Sequence, residues 1–374
     1  MPVTITEIAK AAGVSLTTVS RALNNIDHPM SKETRERILK IADELGYQPN
    51  LVARSLRTDR TFNIGIIVEN IQSPFTPPII RGIQDYLKPE GYSSTIINTD
   101  WDPKIESDAI QSLNNRQIDG IIFVETWHRS SDAVQTMTTK PFVFVHRLFN
   151  GHCPNSVIPD DYGGARLVTH HLLELGHRRI AFINGPKDWD ASQNRLKGYK
   201  HELATSNIRI DSRLVKRGDW EVKGGYLATQ VLLELENQPT AIFAANDLMA
   251  LGAIYALQEA GLRVPHDIAV AGYDDRNFTN FVRPSITTVS LPCYEMGETA
   301  AKLLLSFIND KVKEAEPIEV TGRLIVRESC GAIEGKWEFE DDQGSSAWRK
   351  KRRKILRSWP SGRNGSSKTT KPCS

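Results

Sequence analysis

Apolar positions change their rhythm near residue 62. Before it they recur every three to four residues; after it they gather into short continuous runs separated by helical spacing. In the first segment Ile5, Ile8, Ala9 and Ala12 predict one face of a helix, closed by Gly13 where a left-handed turn residue is needed. Ser15 is placed to cap a second helix. Projected at about 100° per residue, Thr18, Val19, Ala22 and Leu23 share one arc of that helix, and Leu16, Thr17, Ser20 and Arg21 share the other. One arc can pack; the outward one is small, polar and cationic. After the His28-Pro29-Met30 loop, Ser31 caps a third helix to Leu45, with Gly46 as its stop and Ile38, Leu39, Ala42 and Leu45 as its buried side. This spacing predicts a helix-turn-helix with a reading face. Asn50 can cap one or two further turns, too short to be stable alone, so a linker that turns helical on docking is expected.

Beyond Phe62 the runs Asn63–Val68, Thr95–Asn98, Gly120–Val124, Phe142–Val145, Ile180–Asn184, Ala241–Ala244 and Ile268–Gly272 read as buried parallel strands. Helical stretches fall near 78–90, 104–116, 161–175, 192–205, 222–235, 246–260 and 293–309, with Pro77 and Pro78 expected to delay the first of them. A further strand is expected at Gly322–Ser329. The alternation predicts doubly wound α/β sheets, two of them because one core rarely grows so large. Ligands of such sheets sit beyond the carboxyl ends of the strands. There the chain carries Asn70, Phe75, Glu125, Trp127, His146, Trp189, Asp219-Trp220, Asn246 and Tyr273-Asp274-Asp275, with Arg195 on a following helix. Planar hydrogen-bonding groups interleaved with aromatic rings suit a sugar, whose faces are apolar and whose rim is hydroxyls. Asn246 also reads as a helix cap, Asp274 equally as ligand contact or loop brace, and Trp127 and Trp189 equally as packing residues.

Charge sharpens the division. Residues 1–61 hold 9 Lys/Arg against 7 Asp/Glu, residues 62–335 hold 27 against 34, and residues 336–374 hold 11 against 4. An acidic body between basic ends points to a polyanionic partner for the ends. No run of eighteen apolar residues suggests a membrane span, and the opening Met1-Pro2-Val3-Thr4 lacks the basic-then-apolar order of a secretory signal. Cys153, Cys293, Cys330 and Cys373 are scattered without metal spacing, so neither a metal site nor a disulfide framework is expected, and a reducing cytoplasm is. His177 beside Gly176 fits a helix end, and the adjacent His170 and His171 face different ways, so none suggests catalysis or chelation. The chain lacks the G-x-G-x-x-G, phosphate-loop, G-x-S-x-G and H-E-x-x-H patterns, leaving no signal of an enzyme and no expected cofactor.

The ordered motifs A-x-x-A-G-V-S-x-x-T-V-S-R, S-x-E-T-R, E-L-G-Y-x-P-N and A-R-S-L-R-T resemble the LacI/GalR family of bacterial transcription regulators. The Gly185–Tyr199, Ala244–Gly252 and Val264–Asp275 segments are similar to its effector domain, itself like periplasmic sugar-binding proteins. The resemblance implies an all-α helix-turn-helix DNA-binding domain (1–49), a hinge helix or linker (50–61) and an α/β effector domain (62–335) of two doubly wound parallel-sheet subdomains. The N-subdomain would take about 62–160 and 291–321, the C-subdomain about 161–290 and 322–335; the basic tail 336–374 is expected to be disordered. It implies base reading by Leu16, Thr17 and Arg21, phosphate contact or bracing by Ser15, Thr18 and Ser20, and DNA contact by Thr4, Asn24 and Asn50. Ala53 and Leu56 would enter the minor groove, Leu56 as the wedge. Phe75, Arg195, Trp220, Asn246, Asp274 and Asp275 would contact the effector. The implied protein is a repressor, a homodimer or tetramer on pseudo-palindromic double-stranded DNA, controlled by a small polar effector. A carbohydrate is expected, with a purine or nucleoside, or an activator role, as alternatives and a solute receptor as a remote one. Thr76-Pro77-Pro78 departs from the aromatics usual after Pro-Phe in that family, which leaves the effector's identity open.

Overall fold

The computed structural model describes residues 3–23, 30–47, 60–125, 138–146, 153–310 and 314–332. The expectations for the hinge, for Trp127 and for the tail lie outside these residues.

Three helices form the first module: α1 (Ile5–Ala12), α2 (Leu16–Leu23) and α3 (Lys32–Glu44). Each has a side-chain cap that satisfies an end N–H. Thr4 and Glu7 bond reciprocally, Ser15 Oγ accepts from the Thr18 N–H at 3.1 Å, and Ser31 Oγ accepts from the Thr34 N–H at 3.2 Å. Gly13 ends α1 in the left-handed region at φ 63°. The small core joins Ile8, Ala9, Ala12, Val19, Ala22, Ile38 and Ala42. Leu39 and Leu45, expected on the buried side of α3, are 43% and 42% exposed. Leu39 sits about 100° round the helix from Ile38; Leu45 is the C-terminal cap, beyond the last helical turn.

The body contains two parallel sheets. The first has six strands in the order β11-β5-β4-β3-β1-β2: Ile318–Val320, Ser156–Pro159, Phe142–Val145, Gly120–Val124, Asn63–Val68 and Ser93–Asn98. The second has the order β7-β6-β8-β9: Val215–Arg217, Ile180–Asn184, Ala241–Ala244 and Ala269–Ala271. All their pairings are parallel. Crossover helices α4 (Thr76–Leu87), α5 (Pro103–Asn115), α6 (Asp161–Glu174), α7 (Asp190–Thr205), α8 (Val222–Leu233), α9 (Asp247–Glu259) and α10 (Cys293–Asp310) connect or flank them. Strands β3, β6 and β8 are buried along their whole length, which is why they read as uninterrupted apolar runs. Helices α8 and α9 approach closely because Gly225 and Gly252 face them: a Cβ on Gly252 would lie 2.0 Å from the Val222 carbonyl oxygen.

Two local expectations change, and two strands were not foreseen. Helix α4 starts at Thr76, so Pro77 and Pro78 stand inside its first turn rather than delaying it; their missing N–H groups are among those a helix start leaves unpaired anyway. The run 322–329 yields only β12 (Leu324–Ile325), antiparallel to β10 (Thr288–Val289), because Arg327 turns inward. Its guanidinium bonds the Asn280 side chain at 2.7 Å, the Ile286 carbonyl at 2.8 Å and Asp275 at 2.6 Å. Strands β5 and β7 had no clear pattern: Ser-Val-Ile-Pro is short and ends in proline, and β7 is an edge strand carrying Lys216 and Arg217.

Candidate functional site

Two sites come from this architecture. On α2, Val19 and Ala22 are buried while Leu16 is 51% exposed and Thr17 is exposed beside it. Thr18, Ser20 and Arg21 are half-buried. Thr18 Oγ1 lies 2.8 Å from Ser15 Oγ, so both hydroxyls fix the start of the helix. Thr4 is committed to the α1 cap through its hydroxyl. Asn24, Asn50, Ala53 and Leu56 lie outside the described residues.

The second site is a cleft of about 390 Å³ at the carboxyl ends of the two sheets. Its aromatic lining is Phe75, Trp101, Trp189 and Trp220; its polar lining includes Asn70, Gln72, His146, Arg195, Glu221, Asn246, Asp274 and Arg276. At its base Arg195 is almost fully buried. Its Nε donates to Asp161 at 2.8 Å, Nη1 donates to the Ala245 carbonyl and to Asp274 at 3.3 Å, and its guanidinium carbon lies 3.7 Å from the Tyr273 ring centroid. Burial opposes the charge of Arg195, but Asp161 and Asp274 more than restore it and hold its pKa above the usual value. Burial pushes the Asp274 carboxyl up to about 6 against the pull of Arg195 and Arg276. Burial and Asp274 together drive Asp247 well above the carboxylate range, although it accepts from Thr288 at 2.7 Å and from the Arg276 N–H at 2.8 Å. Burial, assisted by Arg195, holds His146 below its ordinary value, so its imidazole stays neutral near pH 7.

Asn246 has both expected properties. Its Oδ1 caps α9 by accepting from the Met249 N–H at 2.9 Å, and its Nδ2 donates to the Trp220 carbonyl at 2.9 Å while the residue lines the cleft. Trp220 lies 5.7 Å from Trp189 and packs on Gly185, where a Cβ would fall 2.1 Å from its ring. The buried indole N–H of Trp220 has no acceptor among the described residues, which leaves a donor for a ligand. Of the expected effector residues, Phe75, Arg195, Trp220, Asn246 and Asp274 come together. Asp275 does not line the cleft; it pairs with Arg327 and accepts from Thr279 at 3.4 Å. Asp274 both lines the cleft and braces Arg195.

Trp101, Glu221 and Arg276 were missed by the sequence reading, while Gln72 stands in the loop after β1 where a pocket was expected. Trp101, His146, Trp220 and Asp274 all hold positive φ, at 59°, 68°, 70° and 109°. Such conformations cost a bulky side chain free energy and persist where surrounding structure enforces them, often at ligand sites. No sequence pattern marks them. A second hollow of about 560 Å³ lies against α7 and β7 and is lined by Lys187, Lys197, Lys200, Lys216 and Arg217. It lacks an aromatic platform, so the smaller cleft is the better ligand site. Among the described residues no group of three His, Cys, Asp or Glu side chains could hold a metal ion, and no helix is long and apolar enough to cross a membrane. Cys153, Cys293 and Cys330 are buried thiols.

Known proteins share this arrangement. Residues 4–50 match bacterial regulatory proteins of the lacI family, and residues 169–330 match the periplasmic binding protein-like domain. The HTH-type transcriptional repressor PurR of Haemophilus influenzae (strain PittEE) is 35% identical over 337 residues, covering 88% of this chain and 99% of that protein. The ribose operon repressor of H. influenzae (strain ATCC 51907 / DSM 11121 / KW20 / Rd) is 31% identical over 330 residues, with the same coverage. Among solved structures, a lac repressor dimer bound to operator and the anti-inducer ONPF is 30% identical with TM-score 0.69, covering 89% of this chain and 100% of that one. A complex of the transcriptional regulator CelR with cellobiose is 32% identical with TM-score 0.63, covering 87% and 99%. The chain therefore belongs to the LacI family of bacterial regulatory proteins, with a helix-turn-helix DNA-binding module and a periplasmic-binding-protein-like effector domain.

Proposed function

We propose that this transcriptional repressor is controlled by a saccharide bound in the cleft between its two sheets. One observation carries the reading: Arg195, Asp274 and Asn246 form a polar edge among Phe75, Trp101, Trp189 and Trp220. Flat rings accept the apolar faces of a pyranose, while a guanidinium and a carboxylate can each make paired bonds to vicinal hydroxyls. The effector changes DNA affinity only through its different affinity for the open and closed arrangements, typically by 1–3 kcal/mol. The DNA partner is a pseudo-palindrome read by a homodimer, Leu16, Thr17 and Arg21 touching base edges from α2. The protein acts in the cytoplasm, as a regulator and not as an enzyme. A purine effector is a second reading, favoured by the similarity to PurR and by the aromatic lining.

The test has two arms. A gel shift with the gene's own upstream DNA should show sequence-dependent binding. Thermal-shift and calorimetric screening against neutral sugars and purine bases should then find a ligand that stabilises the protein and alters the gel shift. Arg195→Ala should lose that response. Purine binding without sugar binding would replace the saccharide reading, and a ligand response unaffected by Arg195→Ala would remove the cleft assignment.

A further inference from the structure

Arg276 differs from Arg195, the other arginine that lines the cleft. Arg195 is held by two carboxylates, and Arg327 by Asp275. The Arg276 backbone N–H is fixed to Asp247, but among the described residues its guanidinium has no ion pair or hydrogen bond. It is half-buried on the cleft wall, with its guanidinium carbon 6.0 Å from the Phe75 ring centroid and 5.9 Å from that of Phe278. Asp274 feels its charge but bonds Arg195, and Glu221 lines the cleft beside Trp220 without pairing to it. A cation within reach of two aromatic rings and partly removed from water can receive an oxyanion. An all-hydroxyl ligand would give this guanidinium no anion bonded directly to it when water leaves, which is unfavourable.

We infer that the effector is an anionic saccharide, a sugar acid or a sugar phosphate, whose oxyanion pairs with the Arg276 guanidinium beside Phe75 while the ring takes the tryptophans and Arg195. This rests on the saccharide reading of the cleft. A guanidinium offers parallel N–H donors to either a carboxylate or a phosphate, so the site's chemistry is shared by the two ligand classes.

Titration calorimetry on the full chain would compare glucose and galactose with glucuronate, galacturonate and gluconate, and with glucose 6-phosphate and galactose 6-phosphate. The inference expects at least one anion to bind about tenfold or more tightly than its neutral parent, with an advantage that shrinks as salt rises. In Arg276→Gln the anion-to-neutral affinity ratio should fall to near one, whereas Arg276→Lys should retain part of it. Which anion binds separates the carboxylate from the phosphate ligand. Neutral sugars binding as tightly as every anion, or a ratio unchanged in Arg276→Gln, overturns the inference while the cleft reading stands. Failure of every saccharide, charged or neutral, overturns both.

Discussion

Replacing Arg195 by methionine keeps a long unbranched side chain but removes the cation from the base of the cleft. The lost contacts are the bonds to Asp161, Asp274 and the Ala245 carbonyl and the stacking on Tyr273. Asp161 and Asp274, whose side chains are 6% and 7% exposed, then remain buried without their partner. Breaking a buried pair from one side costs about 3–5 kcal/mol, because the remaining charge keeps its desolvation penalty. Protonation can relieve that penalty, so the cost depends on pH. The folded Asp274 already has a pKa of about 6, above its reference of 3.8. A folded state that binds its proton more tightly than the unfolded one loses stability as pH rises between those values, at up to about 1.4 kcal/mol per pH unit. Removing Arg195 raises the folded pKa further and extends the falling stretch upward. Urea denaturation followed by circular dichroism should therefore show a larger destabilisation at pH 8 than at pH 5. A loss under about 1 kcal/mol at pH 8, or a larger loss at pH 5, would refute the reasoning. The double variant Arg195→Met/Asp274→Asn should recover part of the loss.

Other outcomes follow from single contacts. Gly252→Ala places a Cβ 2.0 Å from the Val222 carbonyl oxygen and 2.7 Å from the Tyr226 nitrogen. Both are backbone atoms that cannot swing aside, so a loss of about 1–3 kcal/mol is expected, and an unchanged melting temperature would show that α8 and α9 slide freely. Thr4→Ala removes the α1 cap and should cost about 1 kcal/mol in the stability of the N-terminal module, measured by its helical melting. Leu16→Ala alters a side chain already half in water, so stability should move by no more than about 0.5 kcal/mol. Its affinity for operator DNA, measured by gel shift, should fall more than its affinity for scrambled DNA; equal losses would remove Leu16 from base reading.

The short-range features were legible in the chain. Ser15, Ser31 and Gly13 mark helix ends through bonds and dihedrals within four residues, so their chemistry is local. Buried strands such as Gly120–Val124 betrayed themselves by lacking polar residues, since both faces are covered. Asn246 could be placed because it follows such a strand and opens a helix, whereas Arg195, inside α7, and Trp220, beyond the unmarked β7, were placed through the family resemblance. What the chain could not state is which neighbour each charge meets. Asp274 and Asp275 are adjacent and chemically identical, yet one turns to Arg195 at the cleft and the other to Arg327, 52 positions away. Arg276 became a cleft residue only when Phe75, from the other sheet's helix, came beside it. Periodicity encodes burial along one element; the pairing of charges from distant elements depends on how two sheets close on each other, and that geometry belongs to the tertiary structure alone.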